Sequence, residues 1–216
     1  MKLKSFGCSF IFGTDLHDDG RDLKYPTASQ YTWPALLAKK HSLDYHCYAR
    51  GGAGNLQIAD RLLNQLTDTE PAIYVVAWTW IDRLDYTTQD TPFHWRTIMP
   101  VDTDQVAKTY YKHIHSEYRD KLTTLIHVKT AIDSLKASGN QFIMTYMDDL
   151  MFDTRWNTTP AVSALQGYCN PYMTRFDNKS FLEYSKEKGF EISQTLHPLE
   201  AAHEAAAELI DSYNLV

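Results

Sequence analysis

The stretch Pro71-Ala72-Ile73-Tyr74-Val75-Val76-Ala77-Trp78-Thr79 is a continuous β-branched and aromatic run behind a proline. A strand with no polar alternation has both faces covered, which is the pattern of an interior strand in a parallel sheet. Moving toward the N-terminus, Leu56, Ile58, Ala59, Leu62, Leu63 and Leu66 recur at helical spacing. Before them, Leu43 to Tyr48 alternates apolar and polar residues as a second strand that ends at Arg50-Gly51-Gly52-Ala53-Gly54-Asn55. Thr32-Trp33-Pro34 reads as a helix start, with Thr32 as N-cap and Pro34 in the first turn. The first strand lies in Lys4-Ser5-Phe6-Gly7-Cys8-Ser9-Phe10-Ile11-Phe12-Gly13, where a serine emerges at the carboxyl end of the strand. Open α/β sheets put their ligands at that end.

Toward the C-terminus, residues 80–104 hold no sustained period and read as an irregular excursion over the active face. Apolar positions at helical period run from Gln105 to Ser138. A single straight helix of that extent would measure roughly 50 Å, so a break or an overhang is expected. Gln141 to Met147 forms the next strand and residues 150–185 a lid or insertion. Phe190-Glu191-Ile192 is a short last strand, and Pro198 opens a terminal helix. Strands alternating with helices imply a parallel sheet of four to five strands covered on both faces, a three-layer α/β/α sandwich. The chain is read as one domain over 1–216 with the two lid-like excursions.

Composition narrows the function classes. A chain of 216 residues that is 44% hydrophobic and 22% charged is sized for one core, and a net charge of −6 argues against nucleic acid or an anionic membrane as partner. No apolar run suggests a signal peptide or a membrane span, so a cytoplasmic protein is expected. Cys8, Cys47 and Cys169 are widely spaced, which suits reduced thiols and offers no zinc-type pattern. No metal or cofactor is expected.

The blocks Gly7-Cys8-Ser9, Gly51 to Asn55, Ala77 to Trp80 and Leu196-His197-Pro198 follow one another at predicted strand ends or before the last helix. Their order resembles that of the SGNH/GDSL hydrolase superfamily, and the Phe-Gly-Cys-Ser-Phe opening is similar to its phage-type members. The resemblance implies a flavodoxin-like fold and a serine esterase or acyl hydrolase; the aromatic-rich excursions at 80–96 and 150–185, whose rings would stack on a sugar, suggest a carbohydrate O-deacetylase as a subclass. The resemblance makes Ser9 the nucleophile and His197 the base. Ser9, Gly52 and Thr79 become the oxyanion donors, since a tetrahedral intermediate needs preorganised N–H or O–H groups.

Two positions depart from the family pattern. Thr79 stands where the family has asparagine. Gln194 and Thr195 occupy the place of the acid that orients the histidine. Gln194 and Glu191 are therefore the candidates for orienting His197, with Asp148 and Asp149 behind them. The alternative is a catalytically impaired binding or structural protein on the same scaffold. Among the remaining residues, Cys8 is expected to be a core thiol and His203 a surface or rim residue. Asp148 and Asp149 are expected to be solvated, and Asp82 and Arg83 either to line the pocket or to pair with each other.

Overall fold

The computed structural model describes residues 1–20, 24 and 26–214. Within the polar segment 14–30, positions 21–23 and 25, Asp22 among them, lie outside the described residues. The chain runs β1 (Lys2–Phe6), α1 (Ser9–Phe12), α2 (Trp33–Lys40), β2 (Asp44–Cys47), α3 (Asn55–Gln65) and β3 (Ala72–Trp78). It continues through β4 (Leu84–Thr88), β5 (Thr91–Ile98), α4 (Gln105–His113), α5 (Glu117–Ser138) and β6 (Gln141–Tyr146), then α6 (Pro160–Cys169), α7 (Phe181–Glu187) and α8 (Glu200–Ser212).

Four strands form a parallel sheet in the order β2-β1-β3-β6, with Lys2 opposite Ala72 and Ile73 opposite Gln141. β3 is interior, and its alternation divides the molecule. Ile73, Val75 and Ala77 join α2, α7 and α8 in one apolar layer. Tyr74, Val76 and Trp78 join α3, α5 and α6 in the other. Because successive side chains leave opposite faces of a strand, a run with no polar member is what a sheet with helices on both sides requires. The residues Phe190–Ile192 do not extend this sheet. Ile192 makes an isolated bridge with Pro198.

The long periodic stretch is two helices. Ile114 ends α4, and Ser116 caps α5 by accepting the Arg119 N–H at 3.4 Å. Asp104 caps α4 by accepting the N–H groups of Val106 and Ala107 at 2.8 and 3.1 Å.

Both excursions are more regular than their composition suggests. Residues 84–98 are the antiparallel hairpin β4–β5, whose Asp85 carboxylate reaches the start of α3. In the second excursion, Cys169 of α6 lies against α5 with its Sγ 3.8 Å from the Leu125 carbonyl, and Gln166 donates to the Met151 carbonyl at 2.9 Å. Residues up to Cys169 are core packing on the α5 layer, and Phe176, Phe181 and Tyr184 pack into the opposite layer with α2 and α8. The contribution of this excursion to the cavity described below is Leu182, on α7.

Candidate active site

Ser9 is the first residue of α1, a single helical turn entered directly from β1, where a loop was expected. Gly7 permits this abrupt entry, because a Cβ there would lie 2.6 Å from Ile11 Cγ1 and 3.2 Å from the Ala77 carbonyl oxygen. First-turn N–H groups have no intrahelical acceptor, so the Ser9 amide is free to serve a ligand. Cys8 points away from the cavity, fully buried with Sγ 4.0 Å from Met147 Sδ.

The Ser9 hydroxyl lies 2.8 Å from His197 Nε2, and His197 Nδ1 lies 2.9 Å from Asp15 Oδ2. The structure thus brings together the two residues singled out in the sequence and adds a carboxylate that sequence reasoning missed. Asp15 sits just past α1 in the left-handed region (φ 72°), in the polar segment 14–30 with Asp18 and Asp19. Ser193 donates to the same Oδ2 at 2.6 Å, and Thr195 donates to it as well. Ser193 Oγ also accepts the His197 backbone N–H at 3.1 Å, so one carboxylate fixes both the ring and its loop.

Gln194 and Glu191 do not take this role; both are exposed, and no hydrogen bond joins either side chain to His197. Nor do Asp148 and Asp149. The buried Asp148 accepts N–H groups from Ile81 and Leu150, each at 3.0 Å, and burial raises its pKa. Asp149 pairs with Arg175 at 2.7 Å.

Gly52 lines the cavity in a left-handed conformation (φ 77°), with nothing within 4 Å of where a Cβ would stand. Its loop is held from two sides. Asp85 accepts the Gly54 N–H at 2.9 Å and the Gln57 N–H at 2.8 Å, placing a carboxylate at the positive end of α3. Burial raises the pKa of Asp85 while these bonds and the Thr97 hydroxyl oppose the rise. From the other side, the buried Asn55 accepts the Thr79 N–H at 2.8 Å and donates to the Thr79 carbonyl at 3.1 Å. Asn55 is a positioning residue that its Gly-Asn neighbourhood did not reveal.

Thr79 itself corrects an expectation. It is fully buried and does not line the cavity, and its hydroxyl has no hydrogen-bond partner. Asn55 holds the Thr79 backbone at the end of β3, and the side chain is enclosed in protein. His203 is likewise buried rather than on the rim. Its Nδ1 accepts the Trp33 N–H at 3.0 Å, at the start of α2, and burial pushes its pKa down to about 3.

The cavity measures about 1150 Å³ and opens over Ser9, Gly52 and His197. Phe10, Phe12, Trp80, Met99, Pro100 and Leu182 give it apolar walls; Arg50, Arg61, Asp82 and Arg83 also line it. Among the described residues no cluster of three metal-ligating side chains occurs, and no helix is long and apolar enough to cross a membrane.

No protein-family model and no curated protein matches the chain. Solved structures do. The psychrotrophic esterase EstA from Pseudoalteromonas sp. is 11% identical over 98% of this chain and 94% of its own, with a TM-score of 0.52. The acetyl xylan esterase Est2A from Butyrivibrio proteoclasticus is 14% identical over 98% of this chain and 63% of its own, also at 0.52. A member of the lipolytic G-D-S-L family from Veillonella parvula is 12% identical over 98% and 97%, at 0.50. At these identities the likeness is one of fold: the chain has the α/β architecture, a parallel sheet between helix layers, of the GDSL-type esterases.

Proposed function

We propose that this protein is a serine ester hydrolase of the SGNH type, acting without a metal or cofactor. The observation that carries the reading is the continuous chain from Ser9 Oγ through His197 to Asp15, at 2.8 and 2.9 Å, on the wall of a large cavity. Such a chain supplies a nucleophile, a base and the group that sets the base's tautomer.

In the reaction, Ser9 Oγ attacks the ester carbonyl carbon while its proton passes to His197 Nε2. Asp15 holds Nδ1–H and stabilises the imidazolium. The N–H groups of Ser9 and Gly52 receive the oxyanion. Collapse of the intermediate breaks the ester C–O bond, and His197 returns the proton to the leaving alcohol. Water then attacks the acyl-Ser9 carbonyl, giving its proton to His197, and collapse releases the acid and regenerates Ser9. Asp15 supplies the carboxylate whose absence was one of the two grounds for a decayed binding protein; the other, Thr79 in the place of the family's asparagine, leaves the oxyanion to the Ser9 and Gly52 N–H groups.

Within this class, an O-deacetylase acting on a carbohydrate is favoured by Phe10, Phe12 and Trp80 in the cavity wall, since aromatic faces stack on sugar rings. The solved acetyl xylan esterase with the same fold supports that subclass. The test is a panel of acetyl and short-acyl chromogenic esters with wild type and Ser9→Ala side by side, together with mass spectrometry after a fluorophosphonate. Hydrolysis that depends on Ser9, and a single adduct on Ser9, are the expected results. Equal rates for the two proteins would overturn the proposal.

A further inference from the structure

Three arginines line the cavity in a chain whose net charge is −6. Arg50 follows β2 on the loop that carries Gly52, Arg61 lies on α3, and Arg83 lies just after β3. Elsewhere, Arg119, Arg155 and Arg175 each pair with a carboxylate within 4 Å, while Arg96 lies exposed on β5 outside the cavity. Among the described residues the three cavity arginines have no such partner. The Arg50 side chain is exposed and hydrogen-bonds to none of the described residues, while its backbone N–H donates to the Gly7 carbonyl at 3.1 Å. Arg61 donates from Nη1 to the Tyr48 carbonyl at 3.3 Å, and its Nε is buried without an acceptor. Arg83 donates to the Ala53 carbonyl at 3.0 Å, with its guanidinium 4.7 Å from the centre of the Trp80 ring.

Of these donors the Arg61 Nε is buried without an acceptor, which is costly unless a ligand or water satisfies it. A planar guanidinium fork matches the oxygens of an oxyacid. The negative groups nearby do not fill this need. The Asp60 carboxylate accepts the Trp95 indole N–H at 2.9 Å, and Asp85 is engaged at the start of α3. Among the described residues Asp82 is the one lining carboxylate, with its pKa raised by burial and by Asp148, a rise opposed by the Arg83 and His115 charges. Burial and the neighbouring Arg50 charge depress the pKa of Arg61, while the Asp60 and Asp85 carboxylates act in the opposite direction. The cavity volume exceeds the ~300–1,000 Å³ usual for a small-molecule pocket, leaving room for a second substrate group beside the ester.

We infer that Arg50 and Arg61, with Arg83 at their flank, form an anion subsite, and that the ester hydrolysed at Ser9 carries a carboxylate, phosphate or sulfate away from its scissile bond. The inference rests on the hydrolase reading for the word ester, and on the arginines alone for the anion.

The test pairs 4-(acetoxymethyl)benzoate with its neutral amide, 4-(acetoxymethyl)benzamide, adding the aryl phosphate analogue to separate carboxylate from phosphate. A charge-assisted contact predicts a kcat/KM preference of about tenfold to a hundredfold for the anionic ester, carried mainly by KM because the anion does not react. The preference should shrink as salt rises from about 0.05 to about 0.5 M. It should also fall in Arg61→Gln and in Arg50→Gln, and persist in Arg96→Gln. The exposed Arg50 side chain keeps the test open if Arg61→Gln does not fold. A second readout needs no turnover: benzoate, inorganic phosphate or sulfate should raise the Tm of Ser9→Ala, and Arg50→Gln should reduce that rise. Ser9-dependent hydrolysis with no anionic preference and no anion-induced Tm rise would overturn the subsite and leave the hydrolase standing. Anion binding lost in Arg50→Gln, with no ester hydrolysed, would leave the subsite and remove the hydrolase.

Discussion

Asp15 and His197 are 182 positions apart in the chain, and their side chains meet at 2.9 Å on the face of the imidazole opposite Ser9. With both ring nitrogens engaged, one tautomer is favoured, with Nδ1 protonated toward the carboxylate and Nε2 free to accept the serine proton. Asparagine tolerates the left-handed conformation at position 15, so Asp15→Asn tests the charge without disturbing the turn. We expect kcat to fall by about 10⁴, as when the acid of a serine triad becomes an amide, with Tm little changed. Gln194→Ala and Glu191→Ala should leave kcat near wild type. Retention of activity in Asp15→Asn, measured by steady-state kinetics, would remove Asp15 from the mechanism.

Gly52→Ala places a Cβ in open space, so any effect comes from the backbone. At φ 77° an alanine is strained, and relaxation of the loop turns the Gly52 N–H away from the oxyanion. Loss of one such donor costs about 10² to 10³ in kcat. The expected signature is a fall in kcat larger than any rise in KM. A near-normal kcat would exclude the Gly52 amide.

Thr79→Val is expected to leave turnover within about twofold, since the hydroxyl is sealed away from the cavity. A buried hydroxyl without a partner costs about 1–3 kcal/mol, and valine fills the same space without that cost. Tm should therefore rise. A drop in kcat comparable to that of Gly52→Ala would return Thr79 to the oxyanion hole.

The buried His203 makes stability depend on acid. Its pKa lies near 3 in the fold against 6.5 in an exposed chain, so between these values the unfolded state binds a proton that the folded state does not. Above pH 6.5 there is no cost; below it, stability falls as pH falls. The groups that act on its charge are Glu200, which favours the imidazolium, and His197, which opposes it. His203→Asn keeps an acceptor for the Trp33 amide without the titration. Between pH 7.5 and 5, Tm should decline less in the variant than in wild type. Parallel slopes would assign the acid sensitivity elsewhere.

Much of this was legible in the sequence because burial and backbone geometry leave local marks. The unbroken apolar run of β3 announced an interior strand, and Gly51 to Asn55 announced a special backbone before a helix. The hairpin β4–β5 was obscured because its residues do not alternate by polarity with burial: Phe93, close to the turn, is 91% exposed, while at the open end the carboxylate Asp85 is buried along with Ile98. Asp15 was hidden for a related reason. A carboxylate among Asp18, Asp19 and other turn formers looks solvated, and only the fold brings Ser193, Thr195 and His197 onto it. His203 failed in the opposite sense, a polar residue absorbed where α8 covers the N-terminus of α2.

Ser9 and Asp15 belong to one short segment around α1, so the proposed nucleophile and acid travel together and the histidine alone arrives from afar. This arrangement relieves the His-Pro segment of any need for a carboxylate, so Gln194 stays exposed and Thr195 instead donates its hydroxyl to Asp15. A search keyed to an acid just before that histidine passes over chains built this way. One keyed to serine and aspartate six positions apart, followed much later by His-Pro, would gather them.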